Sequence, residues 1–329
     1  MPRALFVDRD ADRTLATVRT LDPEALPEGD VLVEGLYSSL NYKDGLAVTG
    51  RGKIIRGALP FVPGIDLVGR VLSSTAEAYA PGDLVIQTGW HLGEARWGGF
   101  SQQQRVEARS LVPLPPGLSP LHAMVAGTAG FTAMLSVMTL EEHGLTPDQG
   151  TVVVTGASGG VGSFSVALLH ERGFHVAAST GSEGAHTYLR SLGADDIQPR
   201  DVLGAGAQRP LDKAQYAGAI DCVGGDTLAA LLSTMGRHGC VAACGLAGGA
   251  ALHTTVFPFI LRGVVLAGID SNTCPPARRR AAWASLAALP ASLYDAIHTD
   301  TIALDEVPAR SDALLAGHIQ GRLVVDLQQ

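Results

Sequence analysis

A glycine motif between two apolar runs is the residue pattern in this chain with the most specific chemistry. Gly156, Gly159 and Gly162 stand three residues apart in TVVVTGASGGVGSFSVALLHERG, after a β-branched run and before an amphipathic one. Glycines allow a tight strand-to-helix turn and close approach of the backbone to a pyrophosphate, whose charge is favoured at a helix N-terminus. The context therefore predicts a dinucleotide site rather than a flexible loop, with Ser158, Gly162 and Ser163 beside the phosphates.

The residues after the next apolar run indicate which dinucleotide is bound. The run ends in VAASTGSEG, which places Ser179 and Ser182 where a site for NAD usually offers a carboxylate to the ribose hydroxyls. Without that carboxylate a 2′-phosphate would not be repelled. Arg200, in the QPRD turn, could attract such a phosphate because guanidinium geometry matches phosphate oxygens, or it could be a solvated loop residue. The expected cofactor is NADP(H).

A catalytic zinc site would need Cys, His and carboxylate ligands that leave one position open. The first 120 residues contain no cysteine, and His91 and His122 lie in unrelated contexts. Asp66, in PGIDLVG, has no histidine beside it. Cys240 and Cys244 could be two metal ligands, but the run GCVAACGLAGG is typical of a core strand, so all the cysteines are expected to be buried thiols. We therefore predict no metal site and hydride chemistry without a metal Lewis acid.

The elements that position these residues change character along the chain. The first part carries short β-type runs between turn signals such as PEGD and PGD, and PLPPGLSP at Pro113–Pro120 ends this pattern. From Leu121 helices alternate with buried strands, a βαβ rhythm that predicts a doubly wound parallel sheet. The predicted strands and helices are Ala4–Val7, Asp30–Leu36, Gly64–Leu72, Asp83–Gln87, helix His122–Leu140, Thr151–Thr155, helix Val161–Arg172, His175–Ser179, helix Ala185–Leu192, Gly218–Cys222, Gly239–Cys244, Val264–Ile269, helix Ala309–Ala316 and Arg322–Asp326.

Charge and hydropathy limit the partners. The 329 residues carry a net charge of -8, which disfavours nucleic acid and anionic membranes as partners, so a small-molecule substrate is expected. The N-terminus, MPRALFVDRDADRTL, lacks the layout of a signal peptide, and apolar runs such as Val264–Ile269 are too short to span a bilayer. We expect a cytoplasmic protein without a membrane segment.

A series of segments carries a family resemblance that is more specific than any single glycine motif. In chain order the series reads SSLNYKDGLAVTGRGKIIR, PGIDLVG, WGGF, GTAGFTAML, VTGASGGVGS, VAACGLAGG, PFILRGV and GIDS. With these segments the chain resembles the medium-chain dehydrogenase/reductase superfamily, in particular the zinc-free quinone-oxidoreductase-like branch that contains NADPH-dependent acryloyl-CoA reductases. The resemblance runs nearly end to end.

The resemblance implies an α/β architecture of two domains. A mostly β, GroES-like substrate domain would be formed by both chain ends, residues 1–122 and 296–329. A Rossmann domain with a doubly wound parallel sheet, residues 123–295, would bind NADPH, with the active cleft where the two meet. The family pattern also implies a homodimer, with PFILRGV near an edge of the Rossmann domain where strands of two subunits could pair.

Residue roles follow from the resemblance together with the motifs above. Asn41 and Tyr42 are expected beside the nicotinamide and are the candidate catalytic residues. The expected cofactor-binding residues are, at the pyrophosphate, Ser158, Gly159, Gly162, Ser163, Phe164 and Ser165; around the adenosine phosphate, Ser179, Ser182, Gly184, Ala185, His186 and Arg200; and along the nicotinamide half, Tyr42, Leu246, Ile260 and Ser271, with Ala316 or Gly317 closing the cleft.

The implied reaction delivers hydride to the β-carbon of an α,β-unsaturated thioester, with acryloyl-CoA as first choice. Charge then builds on the carbonyl oxygen, so hydrogen-bond donors are needed there, and Tyr42 and Asn41 are available. Tyr42, or a water that it holds, could deliver the proton; alternatively it packs under the cofactor. Other functions left open are reduction of free quinones or enones, and NADPH binding without turnover.

Three features qualify these expectations. Ser182 stands where the branch often has a basic residue, and His91 and Leu92, in GWHLGEARWGG, replace small or β-branched residues. A local basic cluster could bind the phosphates of CoA or could be a solvated loop. Its members are Lys43, Arg51, Lys53 and Arg56.

Overall fold

The computed structural model of the chain describes residues 1–11 and 13–329. They form two units: unit 1 comprises Met1–Thr128 and Ser271–Gln329, and unit 2 comprises Ala129–Asp270. Unit 1 is therefore built from both chain ends, as predicted for the GroES-like domain.

The units differ from the predicted domain boundaries at residues 123–128 and 271–295, which pack with unit 1. In the second stretch the buried guanidinium of Arg279 donates to the Thr88 carbonyl at 2.7 Å and to the Thr88 hydroxyl at 2.8 Å. The helical pattern of this stretch is equally typical of an α/β domain, so the pattern alone did not assign it to unit 1.

Unit 1 is mostly β. Strands β1 and β2 form an antiparallel hairpin, and a second sheet has the order β14-β15-β3-β4-β5-β7, with β6 paired to β3. Its strands are β1 Arg3–Asp10, β2 Arg13–Thr20, β3 Val31–Leu40, β4 Asp66–Ser74, β5 Leu84–Thr88, β6 Gln103–Val106, β7 Leu111–Pro113, β14 His298–Ala303 and β15 Arg322–Asp326. Its helices are α1 Tyr42–Thr49, α8 Pro276–Ala287, α9 Ala291–Ile297 and α10 Val307–Leu315.

The C-terminal strand completes the sheet of unit 1. β15 pairs antiparallel with β3, with Leu323 opposite Leu40. Alternating side chains of β3 and β15, among them Val31, Val33 and Val325, enter the same apolar core as Phe100. The prediction that Arg322–Asp326 returns to the first domain is confirmed.

Unit 2 contains a six-stranded parallel sheet in the order β10-β9-β8-β11-β12-β13. Renumbered within the unit this order is 3-2-1-4-5-6, the doubly wound order of dinucleotide-binding folds. Its strands are β8 Val152–Thr155, β9 Val176–Thr180, β10 Asp196–Pro199, β11 Tyr216–Asp221, β12 Met235–Ala243 and β13 Val265–Gly268. Its helices are α3 Gly160–Glu171, α4 His186–Ser191, α5 Asp201–Gly204, α6 Gly225–Thr234 and α7 Phe257–Arg262.

Helix α2, Pro120–Glu142, runs through the end of the first segment of unit 1. It is long and apolar enough to cross a bilayer by length and composition, but 89% of its most apolar 18-residue window is buried inside the protein. This burial is typical of a core helix. The predicted helix His122–Leu140 missed a break at Gly127, whose φ of 48° and ψ of -151° are not helical.

Candidate functional site

The glycine motif forms the turn between β8 and α3. β8 ends at Thr155, Gly156 has a left-handed φ of 59°, and α3 begins at Gly160. A Cβ on Gly162 would lie 2.6 Å from Ala157 Cα and closer still to the Gly156 carbonyl oxygen. Only glycine therefore lets the first turn of α3 pack on the strand end and present its N–H groups to a pyrophosphate.

The end of β9 lies directly beside this turn. The Ala157 N–H donates to the Ser179 carbonyl at 3.1 Å, and Ser158 Oγ is 3.3 Å from Thr180 Oγ1. Thr180 Oγ1 also accepts the N–H of Ser182 at 3.1 Å. The structure thus brings the two predicted phosphate-binding segments together, with hydroxyl groups rather than a carboxylate at the strand end.

Arg200 lies at the same strand end. Its backbone N–H donates to the Thr180 carbonyl at 3.0 Å, and its exposed guanidinium lies against the Gly181 backbone, in space that a Cβ would occupy. Gly181 therefore makes room for the arginine. Of the two roles left open by the sequence, this placement favours the phosphate-binding role over a remote solvated loop residue.

Five predicted cofactor residues have buried side chains: Ser163, Phe164, Ser165, Ser179 and Ala185. Ser165 Oγ donates to the Val161 carbonyl at 2.8 Å, so this hydroxyl is directed into its own helix. Residues at these positions therefore support the turn by packing and through backbone N–H groups. Gly159 and Gly184 are exposed, and His186 is half-buried.

The remaining predicted cofactor residues are divided between the units. Leu246, after β12, and Ile260, in α7, belong to unit 2 and are both 67% exposed. Ser271, Ala316 and Gly317 belong to unit 1, as do Asn41 and Tyr42. The structure thus assembles the phosphate-binding half of the predicted site within unit 2 alone.

In unit 1, α1 begins directly after Asn41. Tyr42 is its first residue and is 51% exposed, whereas Asn41 is 8% exposed. Asp44, in the first turn, accepts the backbone N–H of Asn41 at 2.9 Å and that of Ile65 at 2.9 Å. This pairing satisfies an N–H at the helix start and ties α1 to the segment before β4.

The Asn41 amide is enclosed by charged groups. Its Nδ2 donates to Asp44 Oδ2 at 3.0 Å and to Asp66 Oδ2 at 2.9 Å, and its Oδ1 accepts from Arg322 Nη1 at 3.0 Å. These contacts occupy both N–H groups and the oxygen, which favours a positioning role over the predicted donation to substrate. Tyr42 is the more accessible of the two predicted catalytic residues.

Asp66 is fully buried and accepts hydrogen bonds from three residues, Asn41, Ser39 and Thr128. Ser39 Oγ donates at 2.5 Å, and Thr128 donates through its N–H at 2.9 Å and its hydroxyl at 2.5 Å. The break in α2 allows this approach, because a Cβ on Gly127 would lie 2.7 Å from Ser39 Oγ and 3.0 Å from Arg322 Nη2. Gly127 is therefore required by close packing on a polar cluster as well as by its φ.

Arg322 is the cation of this cluster. Its Nη2 donates to Ser39 Oγ at 2.8 Å and lies 3.9 Å from Asp66 Oδ2, and its Nε donates to the Val125 carbonyl at 3.0 Å. Asp66 thus lies beside a buried guanidinium, and the second buried carboxylate, Asp44, shares the Asn41 amide with it. Burial and the nearby charge of Asp66 raise the pKa of Asp44 from 3.8 to about 7, although N–H groups of Asn41 and Ile65 favour the ionised form.

The raised pKa of Asp44 predicts a pH dependence of stability. Between about pH 4 and pH 7 the folded chain retains a proton that the unfolded chain releases, so the free energy of unfolding falls as pH rises. The variant Asp44→Asn cannot titrate. We therefore expect the difference in unfolding midpoint, wild type minus Asp44→Asn, to decrease between pH 5 and pH 8 in urea titrations. A difference that is constant or increases with pH would contradict the assignment.

The loop after β5 is held by the first residues of the returning segment. Gly89, Trp90 and His91 have left-handed φ values of 72°, 54° and 61°. Asn272 accepts the Trp90 N–H on its carbonyl at 2.9 Å, and its side chain pairs with the N–H and ring of His91 at 3.0 and 3.1 Å. Ser271 precedes this anchor, so the loop that departs from the family pattern is attached to a predicted cofactor residue.

The basic cluster is partly neutralised. Glu94 is 6% exposed, and its carboxylate lies 2.8 Å from Lys43 Nζ and 3.8 Å from Arg56 Nη2. Arg51 pairs with Asp312 at 2.7 Å. Binding of CoA phosphates by these side chains stays a prediction, with less free charge than the sequence indicates.

The cysteines and histidines are the side chains that could have bound a metal ion. In the part of the chain that the structure describes, no group of three or more His, Cys, Asp and Glu could hold a metal ion. All four cysteines are free thiols. Cys244 Sγ lies 3.8 Å from Cys222 Sγ rather than beside Cys240. These two thiols are half-buried, so the prediction that all the cysteines are buried is wrong for them.

Sequence reasoning missed the polar cluster around Asn41. Its members Ser39, Asn41, Asp44, Asp66, Thr128 and Arg322 span most of the chain, and only one local signal points to it. That signal is Asn41 followed three residues later by Asp44, a spacing typical of a helix start.

Two family models match the chain. One, described as "Alcohol dehydrogenase GroES-like domain", matches residues 27–116, and the other, described as "Zinc-binding dehydrogenase", matches residues 160–288. The first lies within the first segment of unit 1, and the second covers most of unit 2.

Curated relatives match over nearly the whole chain. The probable acrylyl-CoA reductase AcuI of Escherichia coli is 52% identical over 98% of this chain and 99% of its own length. The acrylyl-CoA reductase AcuI of Ruegeria pomeroyi is 49% identical over 99% of each. The putative quinone oxidoreductase YhfP of Bacillus subtilis is 45% identical over 99% of this chain and 98% of its own length.

Solved structures agree with these matches. The yhdH oxidoreductase of Salmonella enterica in complex with NADP is 53% identical and covers 98% of this chain and 99% of its own, with a TM-score of 0.96. The Bacillus subtilis protein yhfP with NAD bound is 45% identical over 99% of each chain, with a TM-score of 0.95.

Proposed function

The chain belongs to the acryloyl-CoA reductase family of the medium-chain dehydrogenase/reductase superfamily, and on that premise we propose that it reduces an activated enoyl C=C bond with NADPH. The proposed substrate is acryloyl-CoA, and the product is propanoyl-CoA. The observation that carries this proposal is the 49–52% identity, over nearly the whole chain, to two proteins named as acrylyl-CoA reductases. The chain is an oxidoreductase acting on CH-CH groups.

The residues of unit 2 fit NADPH. The space beside Gly162 admits no side chain, which keeps the start of α3 open to a pyrophosphate. Arg200 and the hydroxyl-rich end of β9 fit a 2′-phosphate, because no carboxylate stands at the ribose position and a guanidinium lies beside it. Bound NADPH supplies the hydride that adds to the β-carbon of the enoyl thioester.

We propose that Tyr42 acts on the substrate. When hydride adds to the β-carbon, negative charge develops on the thioester oxygen, and a hydrogen-bond donor there lowers the barrier. The Tyr42 side chain is 51% exposed, so its hydroxyl is accessible for such donation or for holding a water that protonates the α-carbon. The proton can also come directly from solvent.

A comparison of substrates tests this function. We expect kcat/KM with NADPH to be higher for acryloyl-CoA than for acrolein or a simple quinone. A free quinone as the preferred acceptor would support the second candidate, a quinone oxidoreductase, which the 45% identity to the Bacillus subtilis YhfP favours. NADPH binding without oxidation by any of these acceptors would indicate a protein without turnover.

We also propose that the protein is a cytoplasmic homodimer that pairs through β13. This strand is at the edge of the sheet of unit 2, and apolar side chains beside it are exposed. They are Val256, Phe257, Ile260, Leu261 and Val265. An exposed strand edge with apolar neighbours is suited to pairing with a second copy.

Charge at this edge is expected to disrupt the dimer. In the double variant Leu261→Asp and Val265→Asp, negative charges without a cationic partner would be buried on pairing, which opposes association. Light scattering should give the mass of two chains for the wild type and of one chain for the variant. A wild type that is monomeric at micromolar concentration, or a variant that remains dimeric, would contradict the proposed interface.

A further inference from the structure

The polar cluster of unit 1 surrounds one amide group, that of Asn41. The cluster contains two carboxylates and a guanidinium, and Asp44, Asp66 and Arg322 are 1%, 0% and 3% exposed. Burying three ionisable groups is costly, and well-packed apolar residues often stabilise a fold as well or better. The amide that they surround belongs to Asn41, the residue directly before the exposed Tyr42. This position indicates a role other than stability.

The charges define one orientation of the amide. Arg322 donates to Oδ1, and Asp44 and Asp66 accept from Nδ2. A half-turn of the amide would place its oxygen against two carboxylates and its NH2 group against a guanidinium. Such a reversal exchanges three attractive contacts for three repulsive ones, so the amide has a single stable position.

The same contacts hold the backbone at the start of α1. Asp44 Oδ2 accepts the Asn41 backbone N–H as well as Nδ2, and Asp44 Oδ1 accepts the N–H of Ile65. Arg322 Nη1 lies 3.4 Å from the Leu40 carbonyl oxygen. The main chain on the N-terminal side of Tyr42 is therefore bound both to β15 and to the segment before β4.

We infer that Asp44 and Arg322 are positioning residues for the reaction: by fixing Asn41, they fix the first turn of α1, from which Tyr42 projects. This inference rests on the proposed function, because it assigns the purpose of the cluster to the placement of Tyr42. It gives Asn41 the role of the link between the charged groups and the tyrosine.

The observed contacts are those of an ionised Asp44. Each of its three hydrogen bonds is accepted from an N–H group, so a protonated carboxyl would have to turn its O–H toward a donor and would lose one of them. The charged group that acts on it is Asp66, and Arg322 contacts the same Asn41 amide as Asp44. Lys43, the adjacent residue of α1, pairs with Glu94, and Asp312, on the packed helix α10, pairs with Arg51.

Conservative substitutions test the inference. Asp44→Asn keeps the shape of the side chain, but one of its two oxygens becomes an NH2 group. The amide therefore cannot accept hydrogen bonds from both Ile65 and Asn41, as the two carboxylate oxygens do. Arg322→Lys keeps the charge but cannot donate to Asn41, Ser39 and Val125 at once. For each variant we expect kcat with acryloyl-CoA to fall roughly 10- to 100-fold, the scale of a small misplacement of a reacting group. The dissociation constant of NADPH should change less than about threefold, since its phosphate contacts lie in unit 2.

Ser110→Ala serves as the control. Ser110 is buried in the same unit, and its Oγ donates to the Glu107 carbonyl at 2.6 Å, with no bond to the cluster. Its loss should lower the unfolding midpoint without changing kcat. If Asp44→Asn and Arg322→Lys are folded at the assay temperature and retain wild-type kcat, the inference is wrong.

The pH profile separates positioning from a structural role. The fold loses stability as pH rises from about 4 to 7, and the Asn41 amide gains its ionised acceptor as Asp44 titrates near pH 7. Wild-type kcat should therefore rise near pH 7, where the fall in the unfolding midpoint ends. Asp44→Asn should lack this rise. A kcat that falls together with stability would show a purely structural cluster. If the wild type turns over no enoyl thioester, the proposed function is wrong. This result comes from the wild type alone, so it is distinct from any result of the variants, which test the positioning role.

Discussion

Replacement of Gly162 by valine is expected to abolish measurable NADPH binding, the largest single effect that the structure predicts. The new Cβ would meet the Gly156 carbonyl and Ala157 Cα, so the first turn of α3 must move away from the end of β8. Each charge-assisted hydrogen bond to a phosphate contributes about 1.5–3 kcal/mol, so loss of two should weaken binding at least a hundredfold. Fluorescence titration with NADPH measures the loss.

Two further glycine variants distinguish loss of binding from loss of folding. Gly204→Val changes a helical glycine of unit 2 that has no heavy atom within 4 Å of its Cβ position, and it should bind NADPH normally. A Cβ at Gly159 would have its nearest neighbour at 3.4 Å, so a large residue there should fold and still impair binding by occupying ligand space. If the folded variant Gly162→Val binds NADPH with wild-type affinity, this turn is not part of the cofactor site.

The variant Arg200→Ala is expected to weaken NADPH binding roughly ten- to a hundredfold, because one charge-assisted phosphate contact of about 1.5–3 kcal/mol is lost. NADH lacks the 2′-phosphate, so its affinity should be nearly unchanged. The guanidinium lies on Gly181 at the end of β9, the position at which dinucleotide-binding folds distinguish the two cofactors. Competition of NADPH and NADH in one fluorescence assay gives both constants.

Arg209→Ala is the matched control, because Arg209 is another exposed arginine of unit 2. It should leave both affinities unchanged. Equal losses of NADPH and NADH in Arg200→Ala would indicate a structural arginine. A wild type that prefers NADH would show that the prediction of a 2′-phosphate site at the end of β9 is wrong. The related Bacillus subtilis structure has NAD bound, so both cofactors are compared.

The glycine turn with its strand and helix was predictable because its signals are local. Strand, glycine turn and helix follow one another within residues 151–172; tight backbone packing explains Gly162, and a left-handed φ explains Gly156. Arg200 is less local, and its residue type fitted two roles equally. Only the pairing of β10 with β9, which brings residue 200 back to Thr180, places the guanidinium at the strand end.

The Asn41 cluster could not be predicted because its contacts are distant in sequence. Asp66 and Thr128 are 62 residues apart, and Asn41 and Arg322 are 281 apart. In the sequence, an arginine at the start of the apolar strand β15 is expected at the surface, although Arg322 is buried. Gly127 lies within an apolar helical pattern that predicts no break. The pairing of β15 with β3 brings Arg322 to the cluster, and the packing of α2 against Ser39, Asp66 and Arg322 requires Gly127.

The direct test of the proposed activity follows a labelled hydride. NADPH carrying deuterium at C4, prepared separately in each configuration, is incubated with the protein and acryloyl-CoA, and the thioester is analysed by mass spectrometry and NMR. We predict propanoyl-CoA with one deuterium at the β-carbon from one of the two labelled forms, and a proton from solvent at the α-carbon. Propanoyl-CoA without deuterium from either form, or acryloyl-CoA recovered unchanged while NADPH remains bound, would contradict the account.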